Sequence, residues 1–549
     1  MGALARDPRR RRRPRDAADA RDRREPGPAG RQAPPGGDQR RRRGRDRRGR
    51  GGRPGRGRDA RVRLPLHGDH HAARQGVRRW RSGATGERVS VIVVGFGPAG
   101  AAAAVAAHDA GADVVVLEAS PAGGGNAPYS GGFLFDLPED RMVDHLRSLS
   151  FDRTPLDVLE AYGRGVHELP TRLPELGIDL TEFTPPPGRF PATFPSWPGF
   201  PGGRDVRYTV AAGGEGRRGV RLWQGLEAAV RSREIEVRCS ARVDRLMMSE
   251  AAVTGVVLAD GSSLSGSVVL TCGGFEGDAA LADAYLPLGP TYPVGHGYND
   301  GAGLRMAQQA GAALWHMYGF FGWFSVRVPE FAAPFAVDFL AAGHVLLDAE
   351  GRRFADETGF EVHDRLRALT TYLPRNANRP ALPTWAVFDE PTRLAGPLNG
   401  LLGTPNDYTW SADNGAEVER GWIRTGAGVV ELAAATGLDA GVLGSSLERY
   451  NEHAAAGVDP DFHREPETLV PLELDRLYAV PTWPGVAGTT GGPRHDARAQ
   501  VLRTDGAVVP GLYAAGAVSL VWGHLIDHGG GLTDALVFGR IAGEQAARG

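Results

Sequence analysis

Three glycines in this sequence have the spacing that lets a polypeptide hold a diphosphate. Gly95, Gly97 and Gly100 follow directly on Val91–Val94, an apolar β-branched run typical of a strand that is buried on both faces. In this G-x-G-x-x-G arrangement the first glycine permits a tight turn, the second lets the backbone approach a pyrophosphate, and the third lets a helix pack close to the strand. The alanine-rich segment that follows predicts that helix, whose N-terminal dipole would face the phosphates.

An acidic residue completes the pattern. The segment ADVVVLE predicts a second strand, and its last residue, Glu118, lies about 20 residues after the glycines. Dinucleotide-binding folds place there the carboxylate that binds a ribose hydroxyl. The alternative is a purely structural glycine turn, which the full order of strand, glycines, helix, strand and acid disfavours. The sequence therefore predicts a dinucleotide site.

A second glycine loop indicates which dinucleotide is bound. The stretch GGGNAPYSGG, residues 123–132, places glycines and small polar residues just after the ribose acid. A nicotinamide dinucleotide does not need such a loop, whereas the ribityl chain and ring of a flavin need amides and hydroxyls along their length. The loop therefore predicts FAD.

This loop resembles the GGN-x-x-x-SGG-like loops of the FAD-binding flavoproteins of the fumarate reductase, succinate dehydrogenase and 3-ketosteroid dehydrogenase superfamily. Further segments resemble landmarks of the same family in the same order, at residues 253–278, 299–314, 418–464, 489–519 and 528–547. The resemblance implies an α/β fold, with a Rossmann-like FAD-binding domain of the glutathione-reductase type and an inserted α+β capping domain. It implies an FAD-binding domain formed by residues 89–320 and 486–549, with residues 321–485 as the cap.

The resemblance also implies the residues that contact FAD. In succinate dehydrogenase a histidine of the glycine loop carries the flavin covalently, and Asn126 occupies that position here, so noncovalent FAD is implied. The last helix is expected to begin near Leu532, with its N-terminal amides facing the flavin. The implied contact residues are Gly95, Gly97, Ala99, Gly100, Glu118, Ala119, Gly125, Asn126, Ser130, Gly131, Gly132, Val243, Thr271, Gly273, Gly516, Gly530, Gly531 and Leu532.

Two candidate catalytic residues match proton-transfer residues of fumarate reductases. Arg393, in WAVFDEPTRL, has the register of the arginine that donates the proton, and the alternative is a surface arginine paired with Asp389 or Glu390. Glu357, in GRRFADETGFE, matches the acid of the family's proton relay. Glu361 stands where the family has the second arginine of that relay, so the proton path differs here.

Two histidines beside the predicted flavin ring are further candidates. The stretch WGHLIDHGGG, residues 522–531, contains His524 and His528, where 3-ketosteroid dehydrogenases carry a tyrosine and a Pro-Gly pair. His528 could polarise a carbonyl or move a proton, and the alternative is a structural histidine that caps a turn. No metal site is predicted, because the cluster HGDHH at residues 67–71 lies in the arginine-rich tail.

The residues that fumarate reductases use to hold a dicarboxylate are missing. That family uses two histidines and an arginine, and alignment places Trp323, Ala487–Gly488 and Ile526 at those positions. Each lost charge-assisted hydrogen bond corresponds to roughly 1.5–3 kcal/mol. A dicarboxylate enzyme would need a replacement clamp from other arginines, for which Arg305, Arg327 and Arg365 are the candidates.

Aromatic residues are concentrated at the start of the predicted cap. The stretch WHMYGFFGWFSV, residues 315–326, reads either as core or as an apolar wall for a ring-shaped substrate. The first hypothesis is therefore an FAD enzyme that interconverts CH–CH and C=C bonds next to a carbonyl on a bulky or cyclic, ketosteroid-like substrate or secondary metabolite. The alternatives are a dicarboxylate oxidoreductase and a non-catalytic flavin-binding protein. There is no CxxCH motif and no second dinucleotide fingerprint, so an external electron partner or oxygen is expected.

The charge distribution separates a tail from the remainder of the 549 residues. Residues 1–90 contain 29 arginines against 10 acidic residues, although the whole chain has a net charge of −1. Residues 1–88 have too few apolar side chains to fold, and we interpret them as an inert tail or as leader sequence before a true start near Val89. A nucleic-acid-binding arm is the alternative, disfavoured because Trp80 is its only aromatic residue. Two cysteines and no long apolar run predict a cytoplasmic protein without a membrane span.

Overall fold

The computed structural model describes residues 87–184, 194, 196–359, 361–370, 380–400 and 403–549. The arginine-rich segment 1–86 lies outside these residues. The helices are α1 (Pro98–Asp109), α2 (Glu139–Ser150), α3 (Leu156–Glu175), α4 (Arg218–Ser232), α5 (Ala279–Tyr285), α6 (Ala302–Gln309), α7 (Glu390–Leu394), α8 (Gly415–Glu419), α9 (Val429–Thr436), α10 (Ala440–Ala456) and α11 (Gly530–Arg548). Among the described helices, none combines the length and the hydrophobicity that crossing a membrane requires.

The strands form two large sheets and two small ones. In chain order they are β1 (Glu87–Val94), β2 (Val114–Leu117), β3 (Phe133–Asp136), β4 (Leu180–Glu182), β5 (Arg207–Ala211), β6 (Glu236–Arg238), β7 (Val243–Ser249), β8 (Ala252–Leu258), β9 (Ser263–Leu270), β10 (Tyr292–Pro293), β11 (Leu314–Trp315), β12 (Phe320–Val326), β13 (Phe335–Ala336), β14 (His344–Leu347), β15 (Thr384–Asp389), β16 (Arg424–Gly426), β17 (Leu477–Thr489), β18 (Gly492–Pro493), β19 (Gln500–Leu502) and β20 (Val508–Ala514).

The first large sheet has a parallel centre. Its strands lie in the order β19-β20-β9-β1-β2-β6, with β7 and β8 attached to β9. Strand β1 pairs in parallel with both β2 and β9, so Val91–Val93 are completely buried, as the continuous apolar run predicted. The prediction of an α/β fold with a parallel sheet is confirmed.

Small side chains allow the first and last helices to pack closely over this sheet. A Cβ atom at Gly539 would lie 2.5 Å from the carbonyl oxygen of Ala99, and one at Gly543 would lie 2.1 Å from that of Ala103. Helix α11 therefore packs directly against the alanine-rich backbone of α1. This contact brings the N-terminal ends of both helices to the same cavity.

The second large sheet is mainly antiparallel. Its strands lie in the order β13-β12-β17-β15-β14, and both β10 and β16 add to β17. Strand β17 pairs with β12 along one edge and with β15 along the other, so it is the central strand of this sheet. A cluster of buried aromatic and aliphatic residues, including Phe320 and Phe324 of β12, covers one face.

Candidate active site

A single long cavity, with a volume of about 310 Å³, runs between the glycine turn after β1 and the second large sheet. One end is lined by Glu118 and Val243, beside the carboxyl ends of the parallel strands. The other end is lined by Trp323 of β12 and by His528, just before α11. Ligands of α/β folds bind at this edge of the sheet, and the volume lies in the range of small-molecule sites.

The dinucleotide end of the cavity has the geometry that the sequence pattern predicts. The Glu118 carboxylate accepts hydrogen bonds from the amides of Phe96 (2.7 Å) and Ser120 (2.7 Å), which fix it in the cavity wall. The position of Gly97 is open, because a Cβ atom there would meet protein atoms only at 3.9 Å. A larger side chain at residue 97 would fill this open space. The space lies beside the fixed Glu118 carboxylate and the start of α1, and this arrangement fits the diphosphate and ribose of FAD.

Most of the implied FAD contacts line this cavity, and three do not. The three exceptions, Gly100, Gly516 and Gly530, are glycines at which a side chain would collide with other parts of the protein. A Cβ atom would lie 2.0 Å from the Gly95 oxygen, 2.8 Å from the Ala99 Cβ and 2.6 Å from the Trp522 ring, respectively. The cavity-lining residues of the set are Gly95, Gly97, Ala99, Glu118, Ala119, Gly125, Asn126, Ser130, Gly131, Gly132, Val243, Thr271, Gly273, Gly531 and Leu532.

Asn126 joins three segments around the cavity. Its Oδ1 atom accepts a hydrogen bond from the amide of His296 (2.6 Å), and its Nδ2 atom donates one to the carbonyl oxygen of Ala487 (2.9 Å). Both ends of the side-chain amide are therefore engaged. Asn126 therefore links the wall segments that contain His296 and Ala487.

Two histidines converge on one buried carboxylate at the opposite end. The Glu361 Oε1 atom lies 3.0 Å from Nδ1 of His363 and 2.8 Å from Nδ1 of His528. An ionised carboxylate only accepts hydrogen bonds, so each histidine donates through Nδ1 and presents Nε2 on the opposite side of its ring. Both histidines line the cavity, and their ring centroids are 4.5 Å apart. We refer to His363 and His528 as the histidine pair.

The pKa values of the histidine pair are shifted in opposite directions, because burial and the shared carboxylate act against each other with different outcomes at the two rings. Burial would raise the pKa of Glu361, but the charges and hydrogen bonds of the two histidines outweigh it and hold that pKa below its usual range. Burial lowers the pKa of His363, but the neighbouring Glu361 carboxylate more than offsets this and raises it above 6.5. For His528 burial dominates, and its pKa stays below 6.5. One member is therefore biased to be charged and the other to be neutral.

Hydrogen bonds to neighbouring residues hold His528 in place. Its Nδ1 atom lies 2.7 Å from Oγ of Ser196, and its backbone amide donates to Asp527 (3.0 Å). The Asp527 carboxylate also accepts a hydrogen bond from the Tyr208 hydroxyl (2.7 Å) and lies 3.0 Å from Nε2 of His145. Both the ring and the backbone of His528 are held, so the side chain has one orientation at the cavity.

The close approach of these side chains also has the spacing of a metal site. The donor atoms of Glu361, His363 and His528 lie within 4.8 Å of one another. Direct hydrogen bonds between the carboxylate and the two rings account for this closeness, since a carboxylate and an imidazole N–H normally lie 2.7–3.2 Å apart. The arrangement is that of a hydrogen-bonded acid–base cluster.

His524 lies outside the cavity lining. Its ring contacts the exposed ring of Phe151, with centroids 4.4 Å apart, and its carbonyl oxygen accepts a hydrogen bond from Arg367. Burial, aided by the charges of Arg367 and Arg153, lowers the pKa of His524 to about 4. The structure thus separates the two histidines of the 522–531 segment and brings only His528 to the cavity.

Arg393 is also absent from the cavity lining. Its Nε and Nη2 atoms donate to both carboxylate oxygens of Glu390, at 2.7 and 2.6 Å, and Nη1 donates to the carbonyl oxygen of Asp413 (2.6 Å). This is the alternative in which the arginine pairs with a neighbouring acid. A proton-donor role for Arg393 remains a prediction that this placement does not support.

Glu357 belongs to a buried ion-pair network away from the cavity. Both its oxygens accept from Arg353 at 2.8 Å, and Oε2 also accepts from Nη1 of Arg464 (2.9 Å). The Glu357 and Arg464 side chains are completely buried. The network joins the β14 region to the segment after α10, so its geometry points to a structural role.

Replacing Glu357 by glutamine is expected to lower the free energy of unfolding by about 3–5 kcal/mol, because two buried arginines lose their shared counter-charge. Urea denaturation followed by circular dichroism measures this change. Glu350→Gln, at an exposed turn nearby, is the matched control and should change stability by less than about 0.5 kcal/mol. Equal stability of the two variants would contradict the structural role.

The positions that match the family's dicarboxylate clamp all face the cavity. Trp323, Ala487, Gly488 and Ile526 line it, and none of them carries a charge. Alternate residues of β12 divide the aromatic stretch between two faces, since Phe321 and Trp323 line the cavity whereas Phe320 and Phe324 lie in the core. The stretch therefore supplies core residues, and two of its aromatic side chains also line the cavity.

The arginines proposed as a replacement clamp do not line the cavity. Arg305 pairs with Asp278 and Arg327 stacks on Tyr292 with its guanidinium carbon 4.0 Å from the ring centre. Arg365 is buried, with Nη1 3.3 Å from the Asp338 carboxylate. This placement gives no support to a dicarboxylate substrate.

Comparisons with known proteins agree with this cavity. Residues 90–533 match the family model described as "FAD binding domain". The chain belongs to this family. FAD is therefore its cofactor, and the predicted resemblance is confirmed.

Relatives and a solved structure fit the same assignment. The chain is 27% identical to a 3-oxosteroid 1-dehydrogenase from Mycolicibacterium smegmatis, over 83% of this chain and 97% of the relative. It is 27% identical to a fumarate reductase (cytochrome) from Shewanella frigidimarina, over 84% of this chain and 77% of the relative. The fold matches that of a 3-ketosteroid delta1-dehydrogenase from Sterolibacterium denitrificans with a TM-score of 0.71 and 22% identity, covering 84% of this chain and 100% of that one. An FAD-dependent oxidoreductase, as predicted, is confirmed.

Several residues at the catalytic end were missed by sequence reasoning. His363 was not considered, and Glu361 was noted only as a departure from the family pattern. The E-x-H spacing of these two residues, directly after the relay motif, was the available signal. Ser196 and Tyr208 have no comparable local signal, because they reach His528 and Asp527 only through the fold.

Proposed function

We propose that the protein interconverts CH–CH and C=C bonds next to the carbonyl group of a bulky, uncharged ring substrate, using noncovalently bound FAD. The observation that carries this proposal is the histidine pair on Glu361, facing an aromatic wall where the family's dicarboxylate enzymes have cationic residues. Residues 321–485 would form the cap over the cavity. Both predicted boundaries fall within strands, β12 and β17, which reach from the cap to the cavity.

The histidine pair supplies the proton chemistry. His528, whose pKa is lowered, presents a neutral Nε2 lone pair that would take the proton from the carbon next to the carbonyl. His363, whose pKa is raised, would donate a hydrogen bond from Nε2 to the carbonyl oxygen and stabilise the charge that develops there. The chemistry that FAD would supply when bound is hydride transfer to or from the β-carbon of the substrate, the second carbon from the carbonyl group. In the direction of reduction His528 returns its proton to the same carbon.

The aromatic wall accounts for the substrate class. Phe321 and Trp323 present ring faces to the cavity, and Phe194 lies against His528 with ring centroids 4.4 Å apart. Such walls bind apolar rings through buried area and stacking. An external electron partner or oxygen would close the catalytic cycle.

A substrate screen in a stopped-flow instrument tests the proposal. The reduced holoenzyme, without oxygen, is mixed with cyclic enones or with fumarate, and reoxidation of the flavin is followed by absorbance. We expect cyclic enones to reoxidise the flavin at least about 100-fold faster than fumarate, which corresponds to a loss of roughly two charge-assisted hydrogen bonds for the dicarboxylate. Fast reoxidation by fumarate together with inertness to every cyclic enone would refute the proposed substrate class.

A further inference from the structure

A corner of the cavity formed by Asn399 and Asp338 presents hydrogen-bond acceptors, and the proton chemistry of the histidine pair does not use it. Both side chains line the cavity, with exposed fractions of 9% and 6%. Asn399 lies just after the segment whose Leu398 carbonyl accepts a hydrogen bond from the Asp338 amide (2.8 Å). We refer to Asn399 and Asp338 as the acceptor corner.

Hydrogen bonding settles which end of the Asn399 amide faces the cavity. Its Nδ2 atom donates to the carbonyl oxygen of Ala336 (2.8 Å), and a carbonyl cannot be bonded by Oδ1 instead. The Oδ1 atom has no hydrogen-bond donor among the residues that the structure describes. A nearly buried acceptor that opens into a ligand cavity needs a donor from the ligand, since leaving it unpaired costs about 1–3 kcal/mol.

Asp338, the second residue of the acceptor corner, carries a carboxylate that is paired with a cation. Its carboxylate forms an ion pair with Nη1 of Arg365 at 3.3 Å, so the pair is close to neutral as a unit. The Asn399 amide oxygen needs a hydrogen-bond donor, which a hydroxyl group offers and a carboxylate or carbonyl does not. Because the neighbouring Asp338–Arg365 pair is close to neutral, it provides no net charge to attract a cation. The corner is therefore suited to a ligand group that donates a hydrogen bond and carries no charge.

Strand geometry places Asn399, the outer residue of the acceptor corner, away from the histidine pair. The Trp323 ring lies 4.9 Å from that of His363, and Ala336 pairs with Ser325, two residues farther along β12. Two strand residues span roughly 7 Å, and the next strand adds a lateral step of about 4.8 Å. Asn399, which bonds Ala336, thus lies roughly 7–10 Å from Trp323 along the wall, which is longer than one six-membered ring. Asp338 lies between them, because the Val337 amide bonds the Phe324 carbonyl oxygen and the next pair in this register is Asp338 and Trp323.

We propose that Asn399, supported by Asp338, binds a hydroxyl group that the substrate carries roughly 7–10 Å from its reacting carbonyl. The substrate is then a hydroxylated fused-ring ketone. This inference rests on the proposed function, because the position of the carbonyl is set by the histidine pair. On this proposal the acceptor corner selects substrates by the group that they carry at the end of the ring system that does not react.

Three two-ring ketones test this assignment on the holoenzyme. The probes are 6-hydroxy-2-decalone, decalin-2,6-dione and 2-decalone, which differ only in the group opposite the reacting carbonyl. Their dissociation constants are measured from the change they cause in the flavin spectrum, and the rate of flavin reduction is recorded separately. The hydroxyketone is expected to bind about five- to tenfold more tightly than the dione, as one neutral hydrogen bond provides.

Two asparagine variants locate the effect. Asn399→Leu should bind all three ketones with equal affinity, within about twofold. Asn406→Leu is the matched control, because Asn406 donates a similar hydrogen bond to the Ala333 carbonyl (2.8 Å) but does not line the cavity, and it should keep the preference. The comparison of ligands on the unmodified protein does not depend on either variant folding.

The outcomes separate the two proposals. Reduction of the flavin by the decalones with equal affinities for the hydroxyketone and the dione would overturn the role of the acceptor corner and leave the proposed function intact. A hydroxyl preference that survives in Asn399→Leu would also overturn it. Failure of every cyclic ketone to perturb or reduce the flavin would overturn the proposed function, and the assignment of the corner with it.

Discussion

A Gly97→Val variant is expected to fold normally and to be purified without FAD. The backbone of Gly97 is extended, with φ −100° and ψ −167°, a conformation that valine adopts without strain. A Cβ atom there meets no protein atom closer than 3.9 Å, so the added side chain occupies only the cradle of the diphosphate. We expect the affinity for FAD to fall at least about 100-fold, which corresponds to ~2.7 kcal/mol.

The flavin-to-protein absorbance ratio and titration of the apoprotein with FAD measure this effect. Gly199→Val is the matched control, because Gly199 is exposed, has no atom within 4 Å of its built Cβ and lies outside the cavity lining. Circular dichroism of both variants should match that of the unmodified protein. A yellow Gly97→Val protein with unchanged FAD affinity would mean that the diphosphate lies elsewhere.

Replacing His528 by glutamine is expected to lower the rate of flavin reduction by a ketone substrate about 10²–10⁴-fold. Glutamine retains the size of the side chain and a hydrogen bond toward Glu361, but it has no basic nitrogen. The FAD content should not change, since the effect lies in proton removal. His524→Gln removes the neighbouring histidine, which lies outside the cavity lining, and should change the rate by less than about threefold.

The pH dependence of the same rate separates a base from a merely structural histidine. A base must be unprotonated, so the rate of the unmodified protein should fall on the acid side at a pH below 6.5, where His528 gains its proton. His363 acts in its protonated form and its pKa is raised, so the rate should fall on the alkaline side at a pH above 6.5. His528→Gln should abolish the acid limb. An acid limb that persists unchanged in this variant would rule out His528 as the base.

The dinucleotide end of the site was predictable because it is local. Strand β1, the glycine turn, α1 and β2 follow one another in the chain, and each residue type has a conformational reason for its place. The prediction that the last helix begins near Leu532 differs from the structure by two residues, since α11 begins at Gly530. Gly100, Gly516 and Gly530 show the limit of the pattern, because a glycine required for packing resembles a glycine that contacts a ligand.

The catalytic end was only partly predictable, because its residues come from distant segments. His528 was a candidate from its own neighbourhood, but its neighbour His524 was an equal candidate in the sequence and lies outside the cavity lining, against Phe151. Arg393 matched a family register, yet the acid three residues before it occupies its guanidinium. Local matches of this kind identify a residue type and a register, and they do not determine which partner the side chain meets.

The sequence by itself determined the cofactor and the order of the elements that hold it, because backbone turns, strand burial and helix starts depend on residues within one short segment. The tertiary structure alone decided that Glu361, His363 and His528 share one hydrogen-bonded cluster and that Asn399 opens into the same cavity. Those side chains meet because the segments that carry Glu361, His363 and Asn399 pack against β12, β13 and the residues before α11. Packing of distant segments is a property of the whole folded core, which no single stretch of sequence encodes.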